Sequence, residues 1–208
     1  VQNEVLAGLD LGEQFTDAPG GTANWTFTDV TGNYNNASGS VEIVINKADA
    51  TIVVNSYSVS YDGNAHTSTG AATGAAGEDL SDLLNLSGTT HTNAGSYTGD
   101  VWTFTGDNNH HSANGTVDNV ITPKSITITA NDRTKSFGET VTFTGTEFTV
   151  AGLVGTDTIV SVTLTSDGAP ASALASGSPY HIVPSSAVFG SGLASNYSIE
   201  YANGELTV

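Results

Sequence analysis

The 208-residue sequence contains no cysteine and no methionine. The absence of cysteine excludes disulfide bonds, thiolate metal sites and cysteine nucleophiles. Lysine and arginine are also scarce: four basic residues stand against 21 acidic ones, which gives a formal net charge of −17. Nucleic acids and anionic membrane surfaces are bound through lysine and arginine, so both are excluded as partners. Divalent cations, neutral glycans and other proteins remain open.

Long apolar runs are absent as well, and no stretch approaches the ~18 consecutive apolar residues of a membrane-spanning helix. Charged residues make up 12% of the chain and hydrophobic residues 38%. The apolar residues alternate with threonine, serine, glycine and asparagine, which favours strands and tight turns over helices. We therefore predict an all-β chain with one helical segment of a turn or two at 77–86, where Leu80, Leu83 and Leu84 would share a face.

The segment 16–52 is repeated at 92–128. The motif Trp-Thr-Phe begins at Trp25 in the first copy and at Trp102 in the second, an offset of 77 residues. Such a period indicates repeated structural modules. After a one-residue indel the offset becomes 76, and it pairs Gly39, Val41, Ile45, Thr51 and Ile52 with Gly115, Val117, Ile121, Thr127 and Ile128.

The repeat divides the chain into three predicted modules, at 1–47, 48–122 and 123–208. The first is the C-terminal part of a module, the second is complete, and the third is of a second type. The segments that join them are short. Pro123 cannot donate a backbone hydrogen bond, so it should interrupt strand pairing at the second junction. We expect neighbouring modules end to end with little bending between them.

Alternation of apolar and polar residues predicts individual strands. The terminal sequence NYSIEYANGELTV predicts a hairpin with Asn203 and Gly204 in its turn. A second turn is predicted at Tyr61, Asp62 and Gly63, because glycine allows positive φ and aspartate can cap the turn. The predicted strands are 51–59, 97–105, 116–121, 125–130, 141–150, 158–165, 180–183 and 196–201.

The aromatic residues of the repeated motif are candidate core residues. Trp25 and Phe27 are two positions apart and would lie on the same face of a strand, as would Trp102 and Phe104. Because both copies carry the pair, we predict that all four residues fill the cores of their modules. The alternative is an exposed aromatic platform that stacks on sugars.

Several of these motifs resemble the mostly-β, glycine-rich (MBG) repeat of bacterial surface proteins. They are VSYDGNAH at 59–66, GEDLSDLLNLSGTTHTNAGSYTGDVWTFTG at 77–106, and SITITANDRTKSFGE at 125–139 together with the terminal NYSIEYANGELTV. The resemblance covers nearly all of residues 16–208. It implies tandem immunoglobulin-like β-sandwich modules arranged end to end, an extracellular location at the bacterial cell surface, and no established catalytic residue.

No residue pattern points to catalysis or to a cofactor. The sequence has no G-x-S-x-G motif, and its histidines do not stand at a metal-binding spacing. His110 and His111 are adjacent, so on a strand their side chains would point in opposite directions, whereas in a turn both would be solvated. We therefore expect a protein that is not an enzyme, with no catalytic, cofactor-binding or dedicated metal-binding residues. Calcium bound at oxygen-rich turns such as 107–109 is the one cofactor left open. The five histidines are His66, His91, His110, His111 and His181.

Two functions remain in competition. The leading hypothesis is a structural stalk or spacer of an extracellular surface protein, adhesin or self-assembling filament. The alternative is a module that binds a glycan or a protein through loops of residues 167–195, where Tyr180 and His181 are the local candidates. A concave pocket with converging polar groups would favour the alternative.

The first module has no counterpart of TIVVNSYSVSYDGNAH, the sequence that opens the second. A sandwich without its first strand presents unpaired backbone groups along an open edge. We therefore expect residues 1–47 to pair with a further strand, supplied either by the same polypeptide or by a neighbouring subunit. Copies of the chain and other surface-protein modules are the expected partners.

Overall fold

The structure is a computed structural model that describes residues 6–208, and these residues form strands joined by turns and loops. No α-helix occurs among them, so the predicted all-β class is confirmed. The helical turns in this range are four short 3₁₀ segments, Ser81–Leu83, Ser87–Thr89, Ala175–Gly177 and Ala194–Asn196.

Sixteen strands lie within the described residues, and they are numbered in chain order. They are β1 (Leu9–Asp10), β2 (Gly20–Phe27), β3 (Ala37–Val44), β4 (Thr51–Asn55), β5 (Ser58–Ser60), β6 (Thr69–Thr73), β7 (Leu84–Asn85), β8 (Gly95–Phe104), β9 (Ala113–Thr122), β10 (Lys124–Ala130), β11 (Arg133–Thr134), β12 (Phe148–Ala151), β13 (Thr158–Thr165), β14 (Tyr180–Ser191), β15 (Tyr197–Ala202) and β16 (Gly204–Thr207).

The chain folds into two compact units built from alternating segments. The first unit contains the described part of Val1–Asn55 together with Thr69–Gly88 and Val101–Thr116. The second contains Ser56–Ser68, Thr89–Asp100 and Val117–Val208. These units are discontinuous in sequence, and the division into modules at 47 and 122 stays a prediction.

In the first unit, β1, β2 and β3 form an antiparallel sheet in that order. The register of β2 and β3 runs from Gly20 opposite Val44 to Phe27 opposite Ala37. A second antiparallel pair joins β4 and β6, and β7 pairs with the end of β8 through Leu84 and Phe104. Antiparallel pairs are what the alternating sequence favours here.

In the second unit, two sheets contribute to one buried cluster. One sheet has the order β12-β10-β15 and the other β11-β16-β14-β13. Ile128 on β10 packs with residues of the second sheet, among them Leu164, Ile182 and Leu206. Because Ile128, Ile182 and Leu206 are all fully buried, this cluster is the main apolar core of the unit.

The junction at Pro123 and the helical segment agree with the sequence. β9 ends at Thr122 and β10 begins at Lys124, so pairing stops at Pro123 as predicted. The segment predicted to be helical contains one 3₁₀ turn, Ser81–Leu83, and its Ser81 N–H donates to the Asp79 carboxylate over 3.0 Å. The helical content of 77–86 is thus a single turn, the lower end of the prediction.

The predicted terminal hairpin is wrong. β15 pairs in parallel with β10, whereas β16 pairs antiparallel with β14, so the two strands belong to different sheets. Gly204 is buried and does not adopt a positive φ. A Cβ at Gly204 would lie 2.5 Å from the carbonyl oxygen of Ala130, so this glycine permits a close backbone approach rather than a turn.

The strand predicted at 51–59 is also wrong as a single element. β4 ends at Asn55 and pairs with β6, whereas β5 begins at Ser58 and pairs with β9. Between them, the N–H of Tyr57 donates to the Asn119 side chain over 3.0 Å. This bond satisfies a buried donor where the ladder is interrupted, and it lets the chain change sheets.

The strand predicted at 141–150 is mostly loop, since only Phe148–Ala151 forms β12. Gly145 has a φ of +85°, which breaks an extended run. The Glu147 carboxylate accepts N–H groups from Thr144, Gly145 and Thr146 over 2.9–3.1 Å. A carboxylate that collects successive N–H groups stabilises a tight turn against a strand. β14, in contrast, is longer than predicted: it extends to Ser191, well past the predicted end at 183.

Candidate functional site

The two tryptophans of the repeat lie across a strand from a glycine. Trp25 on β2 is opposite Gly39 on β3, and a Cβ at Gly39 would lie 2.8 Å from Cζ2 of Trp25. In the second copy, a Cβ at Gly115 would lie 2.4 Å from Cζ2 of Trp102. Each indole ring therefore covers its glycine, and both tryptophans are half-buried. The rings pack on the sheet instead of standing free for a ligand.

The phenylalanines of the motif differ between the copies. Phe104 is buried, with 1% of its surface exposed, and it pairs with Leu84. Phe27 is half-buried, next to the short strand β1 that pairs at Leu9. Of the four residues predicted as core, the structure thus buries Phe104 fully and the other three in part.

The turn predicted at 61–63 begins with a core residue. Gly63 has a φ of +80°, and the Asp62 carboxylate accepts the N–H of Asn64 over 2.9 Å. The side-chain amide of Asn64 donates to the same carboxylate over 3.1 Å, and these two bonds together with the contact with His66 lower the pKa of Asp62 to about 2. Tyr61, by contrast, is 7% exposed and packs edge-on against Tyr197 with ring centroids 5.4 Å apart. Its role is therefore packing as well as position in the turn.

A buried polar network in the second unit is centred on Asp100. One carboxylate oxygen of Asp100 receives Nδ2 of Asn119 over 2.8 Å and Nε2 of His91 over 2.9 Å. The imidazole of His91 stacks flat on Tyr97, with centroids 3.5 Å apart. Burial opposes the ionisation of Asp100, yet the hydrogen bonds from Asn119 and His91 hold its pKa below the usual range.

The hydroxyl group nearest this network is not poised as a nucleophile. Ser68 is 4% exposed, and its hydroxyl donates to Oδ1 of Asn119 over 3.0 Å. A nucleophilic serine needs a base within hydrogen-bond reach, whereas Ser68 is bonded to an amide. His91 is bonded to Asp100 and stacked on Tyr97. The network thus fixes side chains inside the unit.

A second histidine is clamped between two carboxylates in the first unit. His110 is 5% exposed, with Nε2 2.9 Å from Glu78 and Nδ1 2.9 Å from Asp107. Of the two arrangements predicted for this adjacent pair, the structure has the one in which the side chains point in opposite directions. His110 lies in a β-bridge with Ala48 and is buried, whereas His111 is exposed.

In the oxygen-rich turn at 107–109, the Asp107 carboxylate accepts hydrogen bonds from the backbone of the turn itself. The Asp107 carboxylate accepts the N–H groups of Asn109 and His110 over 2.8 and 2.7 Å. Burial acts against its ionisation, but these bonds and His110 hold the pKa of Asp107 below its usual range. Within residues 6–208 no group of three or more histidine and acidic side chains is placed to hold a metal ion.

The loops predicted for ligand binding border an open groove of about 400 Å³ in the second unit. Asp167, Pro179, Tyr180 and His181 are among its lining residues. The ring of Tyr180 is wedged between two glycines and its hydroxyl donates to the carbonyl of Leu174 over 2.9 Å. His181 and Asp167 are exposed. The groove therefore offers one fixed aromatic edge and two polar side chains.

Sequence reasoning did not find the Asp100 network. The signal lies in the repeat itself: the position two residues before the repeated tryptophan is Ala23 in the first copy and Asp100 in the second. Both positions are largely buried, with Ala23 1% and the Asp100 side chain 11% exposed. An acidic residue at a position that packs as alanine elsewhere indicates a buried hydrogen-bond network.

The described residues form an all-β structure whose buried polar side chains are hydrogen-bonded to one another. Residues 126–207 match the family model of the MBG domain, YGX type. The resemblance predicted from the sequence is therefore confirmed over this part of the chain. MBG domains occur in bacterial surface proteins. No curated protein and no solved structure matches the chain. A helix long and apolar enough to cross a membrane is not found in residues 6–208.

Proposed function

We propose that this chain is a non-catalytic structural spacer of an extracellular bacterial surface protein, adhesin or filament, built from tandem immunoglobulin-like β-sandwich modules. The MBG domain at 126–207 supports a place in a surface protein. The buried cluster that joins residues of two sheets in the second unit supports the sandwich architecture. Neighbouring surface modules, including copies of this chain, are its partners.

This proposal rests on a comparison of the two copies of the repeat, which share their tryptophan–glycine packing but differ in their polar residues. Trp25 and Trp102 pack on Gly39 and Gly115 in the same way. The chemically versatile residue Asp100 has only alanine at the equivalent position. A repeated binding or catalytic site would keep its polar residues, whereas a repeated building block keeps its packing. The chain repeats the packing.

The proposal is tested by pulling the full 208-residue chain between flanking marker domains in a force spectrometer. A spacer that carries tension unfolds in discrete steps. Loss of the MBG domain at 126–207 should release about 280 Å of extended chain. A chain that extends smoothly, without such a step, would contradict a mechanical role.

A second function is favoured by the open groove beside Tyr180. Asp167 and His181 expose polar groups next to a fixed aromatic ring, and such an arrangement suits a neutral glycan or a peptide. Binding is measured on an array of neutral oligosaccharides, comparing the unaltered chain with Asp167→Ala and His181→Ala. His111→Ala, at an exposed position of the first unit, is the matched control. Equal signals from all four proteins would remove this function.

A further inference from the structure

We propose that the open edge of β3 binds an extended strand of the Tyr57–Tyr61 type, which another surface-protein module supplies and which runs parallel to β3. The inference deepens the proposed structural role, since it specifies how one module would join the next. It rests on a comparison of β3 with β9, the same strand in the second copy of the repeat.

The outer edge of β3 has no partner strand within residues 6–208. β3 ends the sheet order β1-β2-β3, and its residues are almost all exposed. The N–H of Ile45 donates to the carbonyl of Pro19 beside β2 over 3.0 Å. Because successive backbone groups of a strand point to opposite sides, the N–H and C=O of Val44 and of Glu42 face the open edge.

The corresponding edge of β9 is covered. β5 runs parallel to it, with Ser58 opposite Val120 and Ser60 opposite Thr122. The N–H of Val120 donates to the carbonyl of Tyr57 over 3.0 Å. The N–H of Tyr61 donates to the carbonyl of Thr122 over 2.9 Å. The second copy therefore displays both the direction and the register of the covering strand.

The 76-residue offset carries this register onto β3. Val120 corresponds to Val44, and Thr122 corresponds to Asn46. The offset thus predicts that the N–H of Val44 donates to the incoming strand. The Ile45–Pro19 hydrogen bond independently turns the same N–H toward the open edge. The alignment of the two repeats and the backbone geometry of β3 therefore both place the backbone groups of Val44 at the open edge.

The apolar face of β3 is also less covered than that of β9. Ile121 is 1% exposed and lies in a cluster with Tyr61, with Val59 packed against it. Its counterpart Ile45 is only half-buried. Val41, four residues before Ile45 and on the same face of the strand, is 52% exposed. A strand seated on β3 would shield this face as β5 shields β9.

These contacts define the chemistry of the incoming strand. Its apolar residues must alternate, as Tyr57, Val59 and Tyr61 do, so that they cover the isoleucine face. The residues between them must be small and uncharged, because β3 carries Glu42 and the whole chain has a net charge of −17. The sequence SYSVSYDG of residues 56–63 meets these conditions over the paired positions.

The test places one engineered cysteine in the chain, which has none of its own, and one in a synthetic peptide. The full chain carrying Asn46→Cys is mixed with the peptide SYSVSYDG carrying Ser60→Cys, in a buffer of reduced and oxidised glutathione whose disulfide is the oxidant. In the proposed parallel register the two cysteines lie opposite each other, because Ser60 is opposite Thr122 in the second copy. A mixed disulfide should form at least about tenfold faster than with a peptide carrying Ser56→Cys instead.

The matched control chain carries Thr122→Cys, at the equivalent position of β9, where β5 already covers the edge. Its reaction with the same peptide should be slow. Equal rates at the two positions, or a preference for the Ser56→Cys peptide, would overturn the proposal. Rapid homodimers of the Asn46→Cys chain would overturn it by showing that a second β3 edge is the occupant. The unfolding steps under force do not depend on any of these outcomes, so the two proposals fail separately.

Discussion

The two copies of the repeat solve one packing problem with different chemistry. Both place a tryptophan over a glycine across the strand pair. At two neighbouring core positions, however, the first copy has Ala23 and Ile43, whereas the second has Asp100 and Asn119. The apolar pair accompanies the open edge of β3, and the hydrogen-bonded pair accompanies the edge that β5 covers.

This difference follows from the cost of burying polar groups. Asn119 is 1% exposed, and its oxygen accepts the N–H of Tyr57 and the hydroxyl of Ser68. Both partners belong to residues 57–68, the segment that includes β5. Without that segment, Asn119 would hold unpaired polar atoms, which costs about 1–3 kcal/mol for each group. Ile43 has no such requirement, so the first copy tolerates an edge that is not yet covered.

The largest expected effect tests the different burial of the two phenylalanines. Phe104→Ala should destabilise the first unit by about 3–5 kcal/mol, because it empties a fully buried site. Phe27→Ala should cost about 1–3 kcal/mol, since part of its surface already faces water. Both residues belong to the same unit, so denaturant unfolding followed by one probe compares them directly. Similar losses for the two variants would contradict the assigned difference in packing.

Exchanging the core chemistry of the copies should have the next largest effect. Asn119→Ile copies the first repeat into the second. It removes one of the two hydrogen bonds to Asp100 and leaves the Ser68 hydroxyl and the N–H of Tyr57 without their partner. We expect a loss of about 2–4 kcal/mol in the free energy of unfolding of the second unit. The converse variant Ile43→Asn lies at a half-buried position, where water can solvate the amide, and should cost about 1 kcal/mol.

Much of this architecture could be predicted from the sequence, because it depends on local alternation and on the repeat. The stop at Pro123 and the strand at 158–165 follow from neighbouring residues alone. The terminal hairpin could not be predicted correctly, since whether Tyr201 and Leu206 pair with each other depends on β10 and β14, which are distant in sequence. The same holds for His110, whose burial requires Glu78 from another loop.

The glycines under the tryptophans give a smaller effect with a defined order. Gly115→Ala would bring a Cβ to 2.4 Å from Trp102, and Gly39→Ala to 2.8 Å from Trp25. Both rings must move, so both variants lose stability, Gly115→Ala by about 1–3 kcal/mol and Gly39→Ala by less. Trp25 has more freedom to shift because its sheet ends at the open strand β3. Thermal unfolding with tryptophan fluorescence measures both, and an inverted order would argue against a looser first copy.

The smallest expected effect concerns pH and the carboxylate that only the second copy has. The pKa of Asp100 is lower in the folded protein than in the unfolded chain, where aspartate titrates near 3.9. The folded state therefore binds fewer protons, and the stabilisation is complete above about pH 4 and is lost as the pH falls through the lower folded pKa. We therefore expect the second unit to lose this small contribution as the pH falls from 5 to the acid limit. Denaturant unfolding at stepped pH should show the loss in the unaltered chain and a weaker one in Asp100→Asn, whose side chain does not titrate. Glu200→Gln, at an exposed position of β15 in the same unit, is the control and should follow the unaltered chain. An Asp100→Asn variant with undiminished acid sensitivity would show that the buried network does not create the pH dependence, and the two copies would then differ in packing alone.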